Sequence, residues 1–215
     1  MTSNSLASVC KGLTASFMAF GALMPAVPGY TASAVLAEAN VSQSAGNQPD
    51  AEAMIKRAEK LRKDGQLEAA AAIWEQILAS AENALGTNHP YVATSLNNLA
   101  LLLVDQGKFN AAEPLYRRSL AIRETSLGPD HPAVAYSLNN LAELLRRQEQ
   151  YDAAEPLYRR SLAIFEKVLG QDHPDVATSL NNLALLLVDQ GKYNAAEPLY
   201  LSLIHISEPT RPERI

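Results

Sequence analysis

Hydrophobic side chains recur at helical spacing through most of this chain. In the stretch HPAVAYSLNNLAELLRRQEQ, the apolar residues Val134, Leu138, Leu141 and Leu145 fall on one face of a helix, and the opposite face is polar. The His-Pro pair at 131–132 marks the predicted start of this helix, because a proline in the first turn removes no hydrogen bond that the helix needs.

A second helical pattern follows at once in YDAAEPLYRRSLAIFEKVLG. Asp152 and Glu155 have the spacing of a capping box, and Pro156 is expected in the first turn. Gly170 is expected to close the helix, since glycine adopts the left-handed conformation at low steric cost. The small residue Ala142 of the first helix is predicted to face this second helix, so that the two approach closely.

The pair of helices is repeated with a period of 42 residues. SLNNLA begins at Ser95, Ser137 and Ser179, and the His-Pro and Leu-Gly pairs keep the same spacing. A fixed period of this length indicates a solenoid in which each unit packs on its neighbours. Residues 50–86 fit as a divergent first repeat whose first helix is unusually charged, as expected of a terminal unit.

The repeat closely resembles the tetratricopeptide repeats of kinesin light chains and their bacterial relatives. The resemblance rests on SLNNLA, GKY, AEPLYRRSLAI and LGPDHP, and it covers residues 50–200, about four repeats with the last incomplete. It implies an all-α fold, a right-handed superhelical solenoid of antiparallel helix pairs. The resemblance also implies a protein-binding scaffold, but it is far less specific for function than for fold, because these repeats bind many unrelated partners.

The recurrent asparagine pairs are the main candidates for a binding site. Asparagine is a mediocre helix former, so its repetition in mid-helix needs a reason. In tetratricopeptide repeats the matching positions line the concave groove, where an amide can bond an extended peptide backbone. The alternative is that these amides bond between adjacent repeats. The candidate groove residues are Thr94, Asn97, Asn98, Leu101, Tyr136, Asn139, Asn140, Glu143, Thr178, Asn181, Asn182 and Leu185.

Other polar residues are interpreted as structural. His89, His131 and His173 recur once per repeat beside a helix start and are read as turn residues, not as metal ligands or acid–base groups. The arginine pairs at 117–118 and 159–160 are read as a solvated face carrying i,i+4 ion pairs, with an anionic partner as the alternative. Arg146 and Arg147 belong instead with the groove candidates, because at the end of their helix they could meet an acidic side chain.

Composition argues against several functional classes. The formal net charge of −5 lacks the basic footprint of a nucleic-acid binder. The single cysteine, Cys10, supports neither a disulfide framework nor a thiolate metal site. Phosphate-binding glycine motifs and zinc motifs are absent from the sequence. We therefore predict no catalytic residue, cofactor or metal.

The N-terminal part is predicted to lie outside the fold. Lys11 precedes an apolar run over residues 12–27, and small-residue cleavage sites follow. Residues 1–37 are accordingly predicted to be a signal peptide, which implies export to the periplasm or the extracellular space; an uncleaved membrane anchor formed by residues 12–27 is the alternative. Residues 38–49 read as a disordered leader.

The C-terminal segment breaks the repeat. By the period, Tyr200 should be followed by RRSLAI, but the chain continues LSLIHISEPTR. These letters equal the in-frame translation of the transposase adapter used in sequencing libraries. Residues 201–215 are therefore predicted to be translated adapter read-through.

The function predicted from the sequence is a non-catalytic scaffold that binds a peptide of a partner protein in its groove. One alternative is the repeat array of a larger enzyme or signalling protein, truncated at residue 200. Another is a structural solenoid that associates with itself through its ends. The expected partner is a protein or peptide, not a nucleic acid, and no membrane contact is expected beyond a possible anchor.

Overall fold

A computed structural model describes residues 51–207. The predicted signal segment 1–37, the leader 38–49 and the last residues of the predicted read-through segment lie outside the described residues. Within residues 51–207 the chain forms eight α-helices and no strand, which confirms the predicted all-α class.

The helices follow one another through short turns, as expected of antiparallel pairs. Their bounds are α1 Ala51–Lys63, α2 Leu67–Leu85, α3 Pro90–Asp105, α4 Phe109–Leu127, α5 Pro132–Arg147, α6 Tyr151–Leu169, α7 Pro174–Asp189 and α8 Tyr193–Ser207. Odd-numbered helices are the first helices of the repeats, and even-numbered helices are the second. Helix α8 runs through residues 201–207 of the predicted read-through segment. None of the helices in the described part is long and apolar enough to cross a membrane.

The chain divides into two compact units. The N-terminal unit contains α1 to α4 and ends at Pro129, and the C-terminal unit begins at Asp130 and contains α5 to α8. In the N-terminal unit each helix packs on the next one along the chain. The C-terminal unit repeats this arrangement, with a further small contact between α5 and α7.

The core of the N-terminal unit is built from small and apolar side chains. Ala58, Leu96 and Ala112 are fully buried, and Trp74 is buried at the position that Tyr116 occupies one repeat later. An ion pair between Arg62 and Asp105 (2.8 Å) joins the first helices of the two repeats in this unit.

The C-terminal unit is built in the same way. Ala142, predicted to face the second helix of its pair, is completely buried, and so are Ala154, Ala184 and Ala196. The buried hydroxyl of Ser161 donates to the backbone carbonyl of Ala135 at 2.8 Å and ties α6 to α5.

Serine at that position of the second helix is not kept throughout the chain. Ser119 makes the equivalent bond to the carbonyl of Ala93 at 2.7 Å in the N-terminal unit. In α8 the equivalent residue is Leu203, which is also buried. The last helix pair therefore lacks the serine hydroxyl that ties α4 to α3 and α6 to α5.

The recurrent histidines begin the first helices. His89, His131 and His173 are the N-cap residues of α3, α5 and α7. In each case the imidazole Nδ1 accepts a hydrogen bond from the backbone N–H two residues later, at 3.1–3.2 Å. This bond satisfies one of the free N–H groups that every helix start presents, so the interpretation as turn residues is confirmed.

The predicted capping box of the second helices is wrong. Helix α6 begins at Tyr151, so Asp152 lies inside it, and its N-cap is Gln150, whose side chain makes no capping bond. The turn explains the earlier start: the N–H of Gln150 bonds the carbonyl of Leu145 at 2.9 Å, and the chain enters the next helix directly. Pro156 consequently lies within the helix and not in its first turn.

Candidate peptide groove

The twelve residues predicted to line a groove all lie on first helices. Helix α3 carries four of them, α5 four and α7 four, at positions related by the 42-residue period. The N-terminal unit therefore presents one set and the C-terminal unit presents two. The structure divides each set into side chains that are enclosed and side chains that remain accessible.

On α3, two of the four predicted residues are accessible. Asn97 and Leu101 are buried, whereas Thr94 and Asn98 are half-buried. The amide nitrogen of Asn98 donates to the backbone carbonyl of Thr94 at 3.0 Å. The hydroxyl of Thr94 accepts from the guanidinium of Arg123 at 3.5 Å, and Arg123 itself is almost fully buried.

On α5, Tyr136 is held inside the C-terminal unit. Its hydroxyl donates to a carboxylate oxygen of Asp175 on α7, and its ring meets Phe165 edge to face at 4.9 Å. Burial, followed by the hydrogen bond to Asp175, raises the pKa of Tyr136 above its ordinary value. This tyrosine therefore joins three helices and is not open to a ligand.

The asparagine pairs of the C-terminal unit bond to each other. The amide nitrogen of Asn182 on α7 donates to the carboxamide oxygen of Asn139 on α5 at 3.3 Å. Asn139 and Asn140 are buried, whereas Asn182 is half-buried. The sequence left open whether the asparagines bind a peptide or join adjacent repeats, and the Asn139–Asn182 bond joins adjacent repeats.

Glu143 lies at the centre of a buried charge cluster that the sequence analysis did not identify. Its carboxylate accepts hydrogen bonds from Arg146 at 2.8 and 3.0 Å, from Arg147 at 2.9 Å and from the buried Tyr158 hydroxyl at 2.8 Å. Arg146 also bonds Asp189 at 2.6 Å. The acidic partners expected for these two arginines are thus residues of this chain.

The cluster holds Glu143 in its charged form. Burial by itself raises the pKa of this carboxyl, but the hydrogen bonds from Arg146, Arg147 and Tyr158 outweigh it, so the pKa lies below its ordinary value. The pKa of Tyr158 is raised by burial and by the neighbouring charge of Glu143. The spacing Glu143-x-x-Arg146-Arg147 was a signal for this cluster, since residues three and four apart meet on a helix.

On α7 the predicted residues are the most open of the three sets. Thr178 and Leu185 are half-buried, and the hydroxyl of Thr178 donates to the carbonyl of Pro174 at 3.0 Å. Asn181 is buried, and among residues 51–207 its carboxamide oxygen has no hydrogen-bond partner. The amide oxygen of Asn181 is the unpaired equivalent of the Asn139 oxygen.

The arginines on the second helices behave as predicted. Arg117 pairs with Glu113 and Arg159 with Glu155 at i,i+4 spacing, both at 2.8 Å. Arg118 reaches Glu82 of the preceding repeat at 2.6 Å. These are solvated ion pairs, each contributing about 0.5 kcal/mol.

The described residues contain no cluster of three or more histidine, cysteine or acidic side chains arranged to hold a metal ion. The three histidines each use Nδ1 at a helix start. Their geometry therefore serves the fold.

Comparison with known proteins agrees with the repeat pattern. The family model described as Tetratricopeptide repeat matches residues 49–125, 97–167 and 133–207. The comparison with curated proteins gave no match.

Several solved structures are similar in fold. BtubC (BKLC) from P. vanneervenii is 23% identical, with a TM-score of 0.68, over 85% of this chain and 74% of that one. A kinesin-light-chain-type protein from Podosopora anserina with nearly identical repeats is 21% identical, with a TM-score of 0.65, over 98% and 97% of the two chains. Aspartyl phosphate phosphatase F from Bacillus subtilis is 18% identical, with a TM-score of 0.64, over 73% of this chain and 40% of that one. At these identities the likeness establishes the fold alone.

Proposed function

Because this chain belongs to the tetratricopeptide-repeat family, whose repeats act generally as protein-interaction scaffolds, we propose that it is a non-catalytic scaffold that binds an extended peptide segment of a partner protein. The peptide lies along the first helices of the repeats. The accessible groove positions lie on α3 in the N-terminal unit and on α7 in the C-terminal unit.

Two half-exposed asparagines carry the proposal. Asn98 and Asn182 each use the amide nitrogen within the fold, on the carbonyl of Thr94 and on Asn139 respectively. Their carboxamide oxygens have no hydrogen-bond partner among the described residues, and both side chains are partly accessible. An oxygen held in place by its own amide nitrogen is a preorganised acceptor for the backbone N–H of an extended peptide.

The accessible positions favour a backbone-directed mode of binding. Thr94, Asn98, Thr178, Asn182 and Leu185 are uncharged, and the ionised side chains of the Glu143 cluster are neutralised within the fold. Recognition then depends on hydrogen bonds to the peptide backbone and on burial of small apolar side chains. Such a surface accepts many sequences that are extended and not strongly charged.

The N-terminal segment supports a location outside the cytoplasm. If residues 1–37 act as a signal peptide, the scaffold is exported and its partners are periplasmic or extracellular proteins. The alternative is that the repeats are part of a larger enzyme or signalling protein. In that case they would bind a peptide segment for a further domain of the same protein.

The test uses a probe obtained from a random peptide library displayed on phage and selected against the full chain. The affinity of an enriched synthetic peptide is then measured by fluorescence polarisation. We expect Asn98→Ala and Asn182→Ala each to weaken binding about fivefold, because each removes one hydrogen bond with a net contribution of about 1 kcal/mol.

Exposed asparagines of the second helices provide matched controls. Asn83→Ala and Asn194→Ala change the same residue type on α2 and α8, away from the proposed surface, and should leave peptide affinity unchanged. Circular dichroism shows whether each variant remains helical. If Asn182→Ala loses structure, the peptide affinity of Asn98→Ala alone tests the proposal. The proposal fails if no peptide is enriched, or if the enriched peptides bind the groove variants and the controls equally.

A further inference from the structure

Helix α1 carries an excess of positive charge in an acidic chain. Five of its residues are lysine or arginine and two are glutamate, whereas the formal net charge of the whole chain is −5. The next helix, α2, has three glutamates and no basic residue. The net charge of the chain therefore conceals a basic first helix beside an acidic second one.

Most of the basic residues of α1 lie together on its outward side. Lys56, Arg57, Lys60 and Lys63 share this side at helical spacing, and all four are exposed. Lys56 forms a solvated ion pair with Glu52, whereas the other three make no ion pair within the described residues. We name these four residues the α1 basic face.

The α1 basic face includes positions that are packing surfaces in a later repeat. Arg57 and Lys60 occupy the positions of Leu99 and Leu102 on α3, one period later. Those two leucines are 6% and 1% exposed and belong to the core that α3 shares with α1 and α2. Within the N-terminal unit α1 packs chiefly against α2, so its charged side remains open.

The needs of a helix end explain only part of this pattern. Basic residues in the last turn interact favourably with the helix dipole, which accounts for Lys60 and Lys63. Lys56 and Arg57 lie before that turn. A solubilising end surface requires polar side chains, but it does not require a single sign of charge. The excess of one sign therefore indicates an anionic partner.

We propose that the α1 basic face docks the protein on the surface of an anionic lipid bilayer. The face consists of flexible side chains on a convex helix, and the exposed residues of α1 are polar apart from Ala53. Such a face has no pocket that would select one peptide sequence. A bilayer presents anionic head groups across its whole surface, so it can neutralise these cations without a fixed geometry.

The order of the chain favours a lipid surface over a soluble acidic protein. The apolar segment 12–27, predicted to be part of a signal peptide or an anchor, is separated from α1 by 23 residues that contain no lysine or arginine. The α1 basic face is thus the first cluster of cations after that segment. Stable attachment to a membrane usually takes two signals, such as an apolar segment and a basic patch. The acidic α2 is repelled by the same surface, which orients α1 toward it.

Co-sedimentation of the full chain with phospholipid vesicles tests the proposal. Vesicles of phosphatidylcholine report any binding through the apolar N-terminal segment, and vesicles with roughly one third phosphatidylglycerol add negative charge. We expect the anionic vesicles to bind at least tenfold more tightly, since each cation near such a surface raises the partitioning about fivefold. The excess should disappear at about 1 M salt, where the Debye length is about 3 Å.

Neutralising the α1 basic face should remove this excess. The combined variant carries Lys56→Gln, Arg57→Gln, Lys60→Gln and Lys63→Gln. A matched control changes the net charge equally at exposed residues outside α1, with Lys108→Gln, Arg117→Gln, Arg159→Gln and Lys192→Gln, and should keep the excess. A third variant with Lys56→Arg, Lys60→Arg and Lys63→Arg retains the charge and should also keep it.

A contact measurement gives a readout that does not depend on the stability of the charge variants. In a Cys10→Ser background, Ala53→Cys places a fluorescent label beside the α1 basic face, and Ala69→Cys places it on exposed α2. Anionic vesicles that contain a head-group quencher should quench the label at position 53 strongly and the label at position 69 weakly.

The proposal is overturned if the full chain binds neutral and anionic vesicles equally, or if the α1 variant and the matched control lose the same amount of binding. Equal quenching at positions 53 and 69 also overturns it. Binding of soluble polyglutamate through the α1 basic face, without binding to anionic vesicles, would assign the face to an acidic protein instead. The α1 glutamine variant should bind the groove peptide as wild type does, so failure of this proposal is distinguishable from failure of the proposed function.

Discussion

The amide nitrogen of Asn182 donates to the carboxamide oxygen of Asn139 across 3.3 Å, joining α7 to α5. The second asparagine of one repeat thus satisfies the first asparagine of the repeat before it. Asn139 is 1% exposed, so this bond is shielded from water. The bond accounts for asparagine in mid-helix, because its net contribution of about 1 kcal/mol exceeds the few tenths of a kcal/mol that asparagine costs in helix propensity.

Replacing Asn139 should destabilise the C-terminal unit, whereas the same change at Asn181 should not. Asn139→Ala removes a buried hydrogen bond and leaves the donor of Asn182 unpaired, which lowers the free energy of unfolding by about 1–2 kcal/mol. Asn181→Ala removes an acceptor that has no partner in the described part of the chain, so the relief of that unpaired group opposes the loss of packing, and the net loss should be no more than about 0.5 kcal/mol.

Urea denaturation followed by circular dichroism measures both variants. Equal losses for the two variants would show that the Asn139–Asn182 bond contributes nothing to stability.

The sequence predicted the helices better than their ends. Periodicity located every helix pair, because a 42-residue repeat averages out local ambiguity, and the His-Pro pairs located the start of each first helix from α3 onward. The start of α6 was mispredicted because Asp152 resembles a capping residue. The N–H of Gln150 instead bonds the carbonyl of Leu145, and this backbone bond determines where the next helix begins.

The candidate groove was predicted only in part. The period places Leu101, Glu143 and Leu185 at one helical position, but Leu101 and Glu143 are buried and Leu185 is half-exposed. Periodicity identifies the face of a helix, whereas accessibility depends on what packs against that face in each repeat. Tertiary contacts that join residues about 40 positions apart, such as the bond of Tyr136 to Asp175, leave no periodic trace in a single sequence.

Enlarging Ala142 should destabilise the packing of α5 on α6. Ala142 and Ala154 are both completely buried where these helices approach closely. Ala142→Phe inserts a ring into a space filled by neighbouring atoms and should cost about 1–3 kcal/mol through overpacking. Thermal denaturation should show a lower melting temperature. Ala153→Phe, at an exposed position of α6, is the matched control, and an equally large loss there would argue against the close helix contact as the cause.

Replacing Glu149 with glycine should stabilise the protein. Glu149 is the one non-glycine residue of the described chain with a positive φ, 61°, at the turn where Gly107 and Gly191 have φ of 74° and 73°. A non-glycine residue in the left-handed region costs about 1–2 kcal/mol, which Glu149→Gly would remove. Part of this stabilisation is lost again, because glycine has greater conformational freedom in the unfolded chain. Glu149→Gly should therefore raise the free energy of unfolding by about 0.5–1 kcal/mol.

The reverse substitution at Gly107 isolates the backbone effect. A Cβ built at Gly107 meets no atom within 4 Å, so Gly107→Glu introduces backbone strain without a steric clash. Urea denaturation should show that Gly107→Glu lowers the free energy of unfolding by about as much as Glu149→Gly raises it. An unchanged midpoint in both variants would mean that this turn tolerates any residue.

Replacing both Glu143 and Arg146 with the apolar residues of the neighbouring repeats should leave the stability of the C-terminal unit nearly unchanged. Glu143→Leu places at this position the residue found at Leu101 and Leu185, but it removes the acceptor of Arg147 and Tyr158 and leaves Arg146 with Asp189 alone, so it should cost about 3 kcal/mol. Adding Arg146→Val, the residue of α3 and α7 at that position, should recover most of the loss, since a buried ion pair replaced by packed apolar side chains is often neutral. Denaturant midpoints of the single and double variants test this, and a double variant no more stable than Glu143→Leu alone would contradict it.

Acid should weaken the C-terminal unit through Glu143. The pKa of this carboxyl is below its ordinary value in the folded state, because the hydrogen bonds from Arg146, Arg147 and Tyr158 outweigh the opposing effect of burial. A group with a depressed folded pKa stabilises the fold above its unfolded pKa of about 4.3, and this contribution is lost as the pH falls through the folded value. Wild type should therefore be more stable than Glu143→Gln at neutral pH, and the difference should shrink steadily as the pH is lowered below about 4. Unfolding free energies of the two proteins, measured between neutral and acidic pH, give this difference directly. The other carboxylates are common to both proteins, so their titration cancels. A difference that is independent of pH would show that the cluster does not hold Glu143 in its charged form.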